Sequence, residues 1–202
     1  NTTMKAENCI DIFEKAINDY HINDDVYQSF NNPFEGGTIE NTMYQKSWID
    51  TVQWHYEDII RDPNIKPGDG MVMKRKIDKS NQHRTDVVEQ LDDYYISIFK
   101  DVVTNSAAKL NTESPGWVVD RISILCLKIY HMQEQVDRTD ADNKHKQQCL
   151  NKLNVLLEQK EDISKSFNDL LDEIQKGEKQ IKVYRQMKMY NDDTLNPVLY
   201  KK

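Results

Sequence analysis

The chain has 202 residues, 38% of them hydrophobic and 30% charged, which leaves ample length for a core and suits long amphipathic helices. Its 34 acidic residues outnumber 27 Lys and Arg, and the net charge of −7 argues against DNA or RNA as a general partner. Three cysteines without a CxxC spacing imply neither a disulfide framework nor a zinc knuckle, and no run approaches the ~18 apolar residues that span a bilayer.

No signal-peptide pattern opens the chain, so the expected location is the cytoplasm. The first residue is Asn1 rather than Met, which leaves room for residues upstream. Only six glycines and five prolines occur, clustered in a few places, and this predicts a few long elements. Charge is uneven. Residues 1–62 carry four basic against twelve acidic side chains, whereas 176–202 carry seven basic against three acidic.

A first amphipathic helix is predicted over 5–20, with Ile10, Phe13 and Ile17 at helical spacing beside Cys9 and Ala16. His21 follows as a cation at its C-terminal end. Pro33 and Gly36-Gly37 then mark a long loop. A second helix is predicted over 41–61, with Tyr44, Trp48, Val52, His55 and Ile59 on one side; Asp62-Pro63 ends it, because the residue before proline avoids the helical region.

After the connecting loop Pro63 to Gly70, a third helix is expected over 71–103. Ile77, Val88, Leu91, Tyr95 and Ile98 form its apolar stripe, and Arg84 falls inside that stripe. A guanidinium stays charged, so it must either snorkel outward or meet a carboxylate. The fourth helix spans 115–138, with Ser114 as N-cap and Pro115 at the first position. Asp120, Arg121, Lys128, His131, Gln135 and Arg138 share one side of it with Trp117, Ile124 and Leu127. A face so mixed is expected to be partly covered and therefore internally paired, with Arg84–Asp120 and Asp78–Arg121 the natural pairs.

The fifth helix spans 142–176 and ends at Gly177. Cys149, Leu153, Leu156, Lys160, Ile163, Phe167, Leu170 and Ile174 repeat in strict 4–3 steps, a seam for lying on a neighbouring helix. The basic tail, 178–202, reads as a segment wrapping over the bundle. The whole is an all-α helical bundle of about five main helices in one domain.

Five runs stand out as a set: Trp54-His55-x-Glu57-Asp58, Lys74-Arg75-x-Ile77-Asp78-x-x-Asn81-Gln82-x-Arg84, Asn111-Thr112-x-x-Pro115-Gly116-Trp117-x-x-Asp120-Arg121, Leu127-Lys128-Ile129-x-His131-Met132, and Lys182-Val183-Tyr184-Arg185-Gln186-x-Lys188-Met189-Tyr190-Asn191-Asp192. With these motifs the chain resembles a bacterial family defined as a domain of unknown function. The resemblance implies an all-helical intracellular protein, in a setting of genes for cell-envelope sugar assembly, and carries over no catalytic residue.

Three arrangements bear on chemistry. His55-x-x-Asp58 and His131-x-x-Glu134 each place an imidazole and a carboxylate one turn apart, a candidate divalent-metal set to which Asp78, Glu89 or Asp120 could add a carboxylate. Glu89-x-x-Asp92, with Glu57, Asp58 and Asp62, is a weaker magnesium pattern of the helical pyrophosphatase type, with Lys74, Arg75, Lys182, Arg185 and Lys188 as phosphate partners. The third is a polar interior of His55, Asp58, Asp78, Arg84, Asp120, Arg121, Lys128 and His131. It reads either as a ligand site for an anionic, sugar-like or nucleotide-like molecule or as a network that fixes helix register. Enzyme-type site and protein-binding scaffold therefore both stay open.

Overall fold

The computed structural model describes residues 2–189 and 191–201; Asn1, Tyr190 and Lys202, the second of these within the tail motif, lie outside the described residues. The protein is an all-α bundle. Its helices are α1 (Ala6–Asn23), α2 (Ile39–Ile60), α3 (Pro67–Phe99), α4 (Pro115–Asp137), α5 (Asn143–Gln175) and a short α6 (Pro197–Tyr200). Two short strands, β1 (Lys109–Leu110) and β2 (Lys179–Gln180), pair in parallel and tie the α3–α4 connection to the start of the tail.

Each long helix follows from its apolar spacing. In α1, Ala6, Cys9, Phe13, Ala16 and Tyr20 recur every three or four residues, and with Ile17 beside them they are all buried. The 4–3 seam of α5 faces inward at Cys149, Leu153, Phe167, Leu170 and Ile174, with Leu156, Lys160 and Ile163 half-buried between them. That seam lies chiefly on α4, and its C-terminal part also reaches α1. One apolar cluster joins all five long helices, with Phe13, Tyr44, Leu91, Tyr95, Ile122, Leu127, Phe167 and Leu171 among its largest members.

Helix ends obey local chemistry. Thr38, Ser114 and Asp142 each accept a hydrogen bond from a first-turn N–H, at Asn41, Trp117 and His145 respectively. Gly177 closes α5 with φ +74, and its hydrogens lie against the Val103 carbonyl, where a Cβ would come within 2.4 Å.

Several expected boundaries shift. The PGDG run is the first turn of α3 rather than loop, because Pro67 at the first helical position sacrifices no hydrogen bond and the two glycines follow it in the helix. At its other end α3 stops at Phe99, four residues short of the expected limit. α1 runs three residues beyond Tyr20, so His21 lies in its last turn rather than after it. Leu127 faces the core and not the polar side of α4. Among the described residues, no helix is long and apolar enough to cross a membrane.

Candidate functional site

Two separate polar groups take in several of the residues singled out from the sequence. The first is a buried charge network. α2 contributes Lys46 and Asp50, both inaccessible, one turn apart and ion-paired. Lys46 Nζ also meets Asp120 Oδ1 of α4 at 2.9 Å. From α3, Arg84 donates through Nε to Asp120 Oδ1 at 3.0 Å and through Nη2 to Oδ2 at 2.8 Å. Its Nε also lies 3.2 Å from Asp50 Oδ1, an ion-pair contact without hydrogen-bond alignment. Ser123 Oγ donates to Asp50 Oδ2 at 2.7 Å.

Two cationic and two acidic side chains thus share one interior, and each has a partner of opposite charge. Burial pushes the Asp50 carboxyl above its ordinary range despite the pull of Lys46. At Asp120 burial acts the same way, but Lys46 and Arg84 together outweigh it and hold the carboxyl below that range. The network joins α2, α3 and α4.

The second group is a cluster of three histidines from three helices. His21 ends α1, His55 lies in α2 and His131 in α4, and one ring nitrogen of each lies within 4.8 Å of the others. His21 Nδ1 donates to the Ile17 carbonyl at 2.6 Å, because a carbonyl can only accept, and its Nε2 sits 3.1 Å from His55 Nε2. His131 Nδ1 donates to Glu134 Oε2 at 2.8 Å, which leaves its Nε2 buried and without a hydrogen-bond partner. Behind His55, Asp58 Oδ2 stands 4.0 Å from Nδ1. Burial, opposed by Asp24 and reinforced by the two neighbouring histidines, pushes the His55 pKa down.

Each imidazole is also held face-on by an aromatic ring from a different helix. Tyr20 of α1 stacks on His55 of α2 (5.1 Å between centroids, 14° between planes), Trp54 of α2 on His131 of α4 (4.6 Å, 7°), and Tyr130 of α4 on His21 of α1 (4.2 Å, 26°). The arrangement is cyclic: every helix supplies one histidine to the cluster and, from the preceding residue, the ring that braces the next helix's histidine. Two of the rings have one nitrogen oriented by an acceptor, His21 by the Ile17 carbonyl and His131 by the Glu134 carboxylate, and the other turned toward the cluster, an orientation that imidazole metal ligands also show. The cluster opens on a cleft of 820 Å³ whose walls include Lys128, Met132, Gln135, Lys152 and Leu156.

The metal set expected from the sequence is His55, Asp58, His131 and Glu134. His55 and His131 do come together; Glu134 accepts from His131 Nδ1, Asp58 stands 4.0 Å from His55 Nδ1 without a hydrogen bond, and the third imidazole of the cluster is His21, expected only as a helix-end cation. A sequence signal for it exists. Three of the five histidines follow an aromatic residue directly (Tyr20-His21, Trp54-His55, Tyr130-His131), and these are the three that cluster.

Other expected groupings do not form. Asp78 pairs with Lys74 on its own helix, and Arg121, largely exposed, pairs with Glu113 at 2.5 Å, so the Asp78–Arg121 pair is absent. Lys128 is exposed and lines both the histidine cleft and an adjoining cavity of 500 Å³ beside Arg84 and Asp120. The acidic pattern is dispersed as well. Asp92 is buried, accepting from Ser114 Oγ and Gly116 N at 2.7 Å each. Glu89 accepts from the Gln186 N–H of the tail, Arg185 pairs with Asp93, and Glu57 pairs with Arg61.

A search of curated proteins and one of solved structures each return no match. A family model described as "Protein of unknown function (DUF4254)" matches residues 40–183, a span that holds α2 to α5 with His55 and His131 and leaves α1 with His21 outside it. With well over half of its length inside that match, the chain belongs to the DUF4254 family.

Proposed function

We propose that this protein binds one divalent transition metal of the zinc class through His21, His55 and His131, and that the metal serves an anionic small molecule held in the adjoining cleft. The observation that carries this reading is the inward-facing, partnerless Nε2 of His131 beside the Nε2 pair of His21 and His55. Imidazole suits zinc, copper, nickel and iron, whereas magnesium and calcium prefer oxygen donors. The bracing rings, with Ile17 at His21 and Glu134 at His131, hold the imidazoles before any ion arrives, which lowers the cost of assembling the site.

An anionic ligand fits the lysines on the cleft walls, Lys128 and Lys152, which stand on α4 and α5. Lys128 and Gln159 line both this cleft and the adjoining cavity at Arg84, so an elongated ligand such as a sugar or nucleotide phosphate has room for its far end. The net charge of −7 argues for a small ligand rather than a nucleic acid. Three free, buried cysteines accord with a reducing, cytoplasmic location.

For Arg84 and Asp120 a different role is favoured by a specific observation. Both are spent within the Lys46–Asp50–Arg84–Asp120 network, so we assign them to holding the helices and not to the ligand.

Metal content decides the main proposal. Protein stripped with chelator and titrated with Zn²⁺ or Co²⁺ in a calorimeter is expected to take up one ion per chain, and His131→Ala to weaken binding at least ~100-fold. Absence of uptake by the wild type, or unchanged affinity in His131→Ala, would overturn it.

A further inference from the structure

Three imidazoles leave a tetrahedral ion one ligand short, and a carboxylate stands at the edge of the cluster. Asp24 follows α1 directly, and its Oδ1 lies 3.7 Å from His55 Nε2 and 3.9 Å from His21 Nε2. With metal–ligand bonds of about 2.0–2.1 Å, the edges of a tetrahedral site measure about 3.3 Å. The His21–His55 nitrogens, at 3.1 Å, are already at that spacing, and Asp24 needs to close by only a few tenths of an ångström on those two. Its side chain is 60% exposed and has room to move on the cleft side.

The backbone supplies an independent reason to read Asp24 as placed for its carboxylate. It adopts the left-handed conformation, φ 47 and ψ 48, with its N–H donating to the Tyr20 carbonyl at 3.0 Å to cap α1. Among the described residues it is the only non-glycine with positive φ. Helices that end this way usually do so on glycine, because a Cβ is crowded there. An aspartate at such a position is a poor cap that brings a carboxylate to the imidazoles. The adjacent Asp25 does something else: its Oδ1 accepts from the Tyr27 N–H at 2.8 Å and stabilises the following turn.

We infer that Asp24 is the fourth protein ligand, so that the centre is a three-histidine, one-carboxylate site. The inference rests on the metal-binding reading above and adds to it the residue that completes the coordination. One carboxylate leaves a divalent ion with a net charge of +1, which still attracts an anion from the cleft as an added ligand.

Capping and ligation can be separated because they predict opposite effects of one change. Asp24→Gly relieves the backbone, so the metal-free variant is expected to melt at or above the wild-type temperature while its Co²⁺ affinity falls at least tenfold. Its visible Co²⁺ absorption is also expected to shift as an oxygen donor is lost. Asp24→Asn, which tolerates the same backbone, is expected to lose affinity likewise. If the wild type binds Co²⁺ and both variants match it in affinity and spectrum, Asp24 is no ligand and the three-histidine reading stands alone. A metal-free Asp24→Gly melting well below the wild type would make Asp24 structural and overturn the inference too. Failure of the wild type to bind Co²⁺ would instead refute the metal reading, and this inference with it.

Discussion

At the scale of single residues, the buried network sets the largest penalties. Asp120 of α4 touches both Lys46 and Arg84. Removing its charge leaves two cations facing Asp50 alone, and breaking a buried pair in this way costs about 3–5 kcal/mol. Asp120→Asn keeps an acceptor oxygen, so the expected loss at neutral pH is near 3 kcal/mol by denaturant unfolding, about the low end of that range. The pH dependence follows from the direction of its shift. A carboxyl held below its ordinary range contributes stability that is full above the unfolded-state value, about 4, and is lost as pH falls through the depressed folded value. The gap between wild type and Asp120→Asn is therefore expected to be widest at neutral pH and to narrow below about pH 4. A gap that stays constant down to acid unfolding would show that the carboxylate's charge is not what matters.

At the scale of elements, a glycine seats α4 against α3. Gly116, in the first turn of α4, lies so near α3 that a Cβ would come within 2.7 Å of the Asp92 carboxyl and the Val88 carbonyl. Asp92 meanwhile accepts the Gly116 N–H and so satisfies one of the open donors of that helix end. Gly116→Ala is expected to cost about 1–3 kcal/mol despite alanine's better helix propensity. Gly70→Ala, whose nearest neighbour beyond its helix is 3.9 Å away, should instead gain up to about 1 kcal/mol. Thermal melts of the two variants side by side check the contrast. What the sequence makes legible is of this helical kind. The 4–3 seam of α5 and the N-caps at Ser114 and Asp142 follow from local spacing and chemistry. Arg84 in an apolar stripe likewise demands an anion, and Asp120 meets it. Lys46 and Asp50 were not legible, because an i, i+4 charge pair on α2 reads as a wet face until three helices close over it. His21 escapes the sequence for a related reason: at a helix end a histidine has a sufficient local explanation, and only the fold brings it to His55 and His131.

At the scale of the whole molecule, the histidine cluster links three helices that the charge network links only in part. The network joins α2, α3 and α4, whereas the cluster joins α1, α2 and α4, so α1 is the element whose attachment a metal ion would change most. His55 and His131 sit within their helices, but His21 occupies the last turn of α1, where helices fray and local opening costs least. An ion that binds only the folded arrangement stabilises it by mass action, about 2.7 kcal/mol at a free concentration a hundred times its Kd. That gain should be concentrated where opening breaks a ligand bond without unfolding the rest. Hydrogen exchange with and without Zn²⁺ is therefore expected to slow most at the amides of Tyr20, His21, Ile22, Asn23 and Asp24, less along α2 and α4, and least in α5. The same contrast should vanish in His21→Ala. Protection that rises equally in α5, or that persists without His21, would place the ion elsewhere on the bundle.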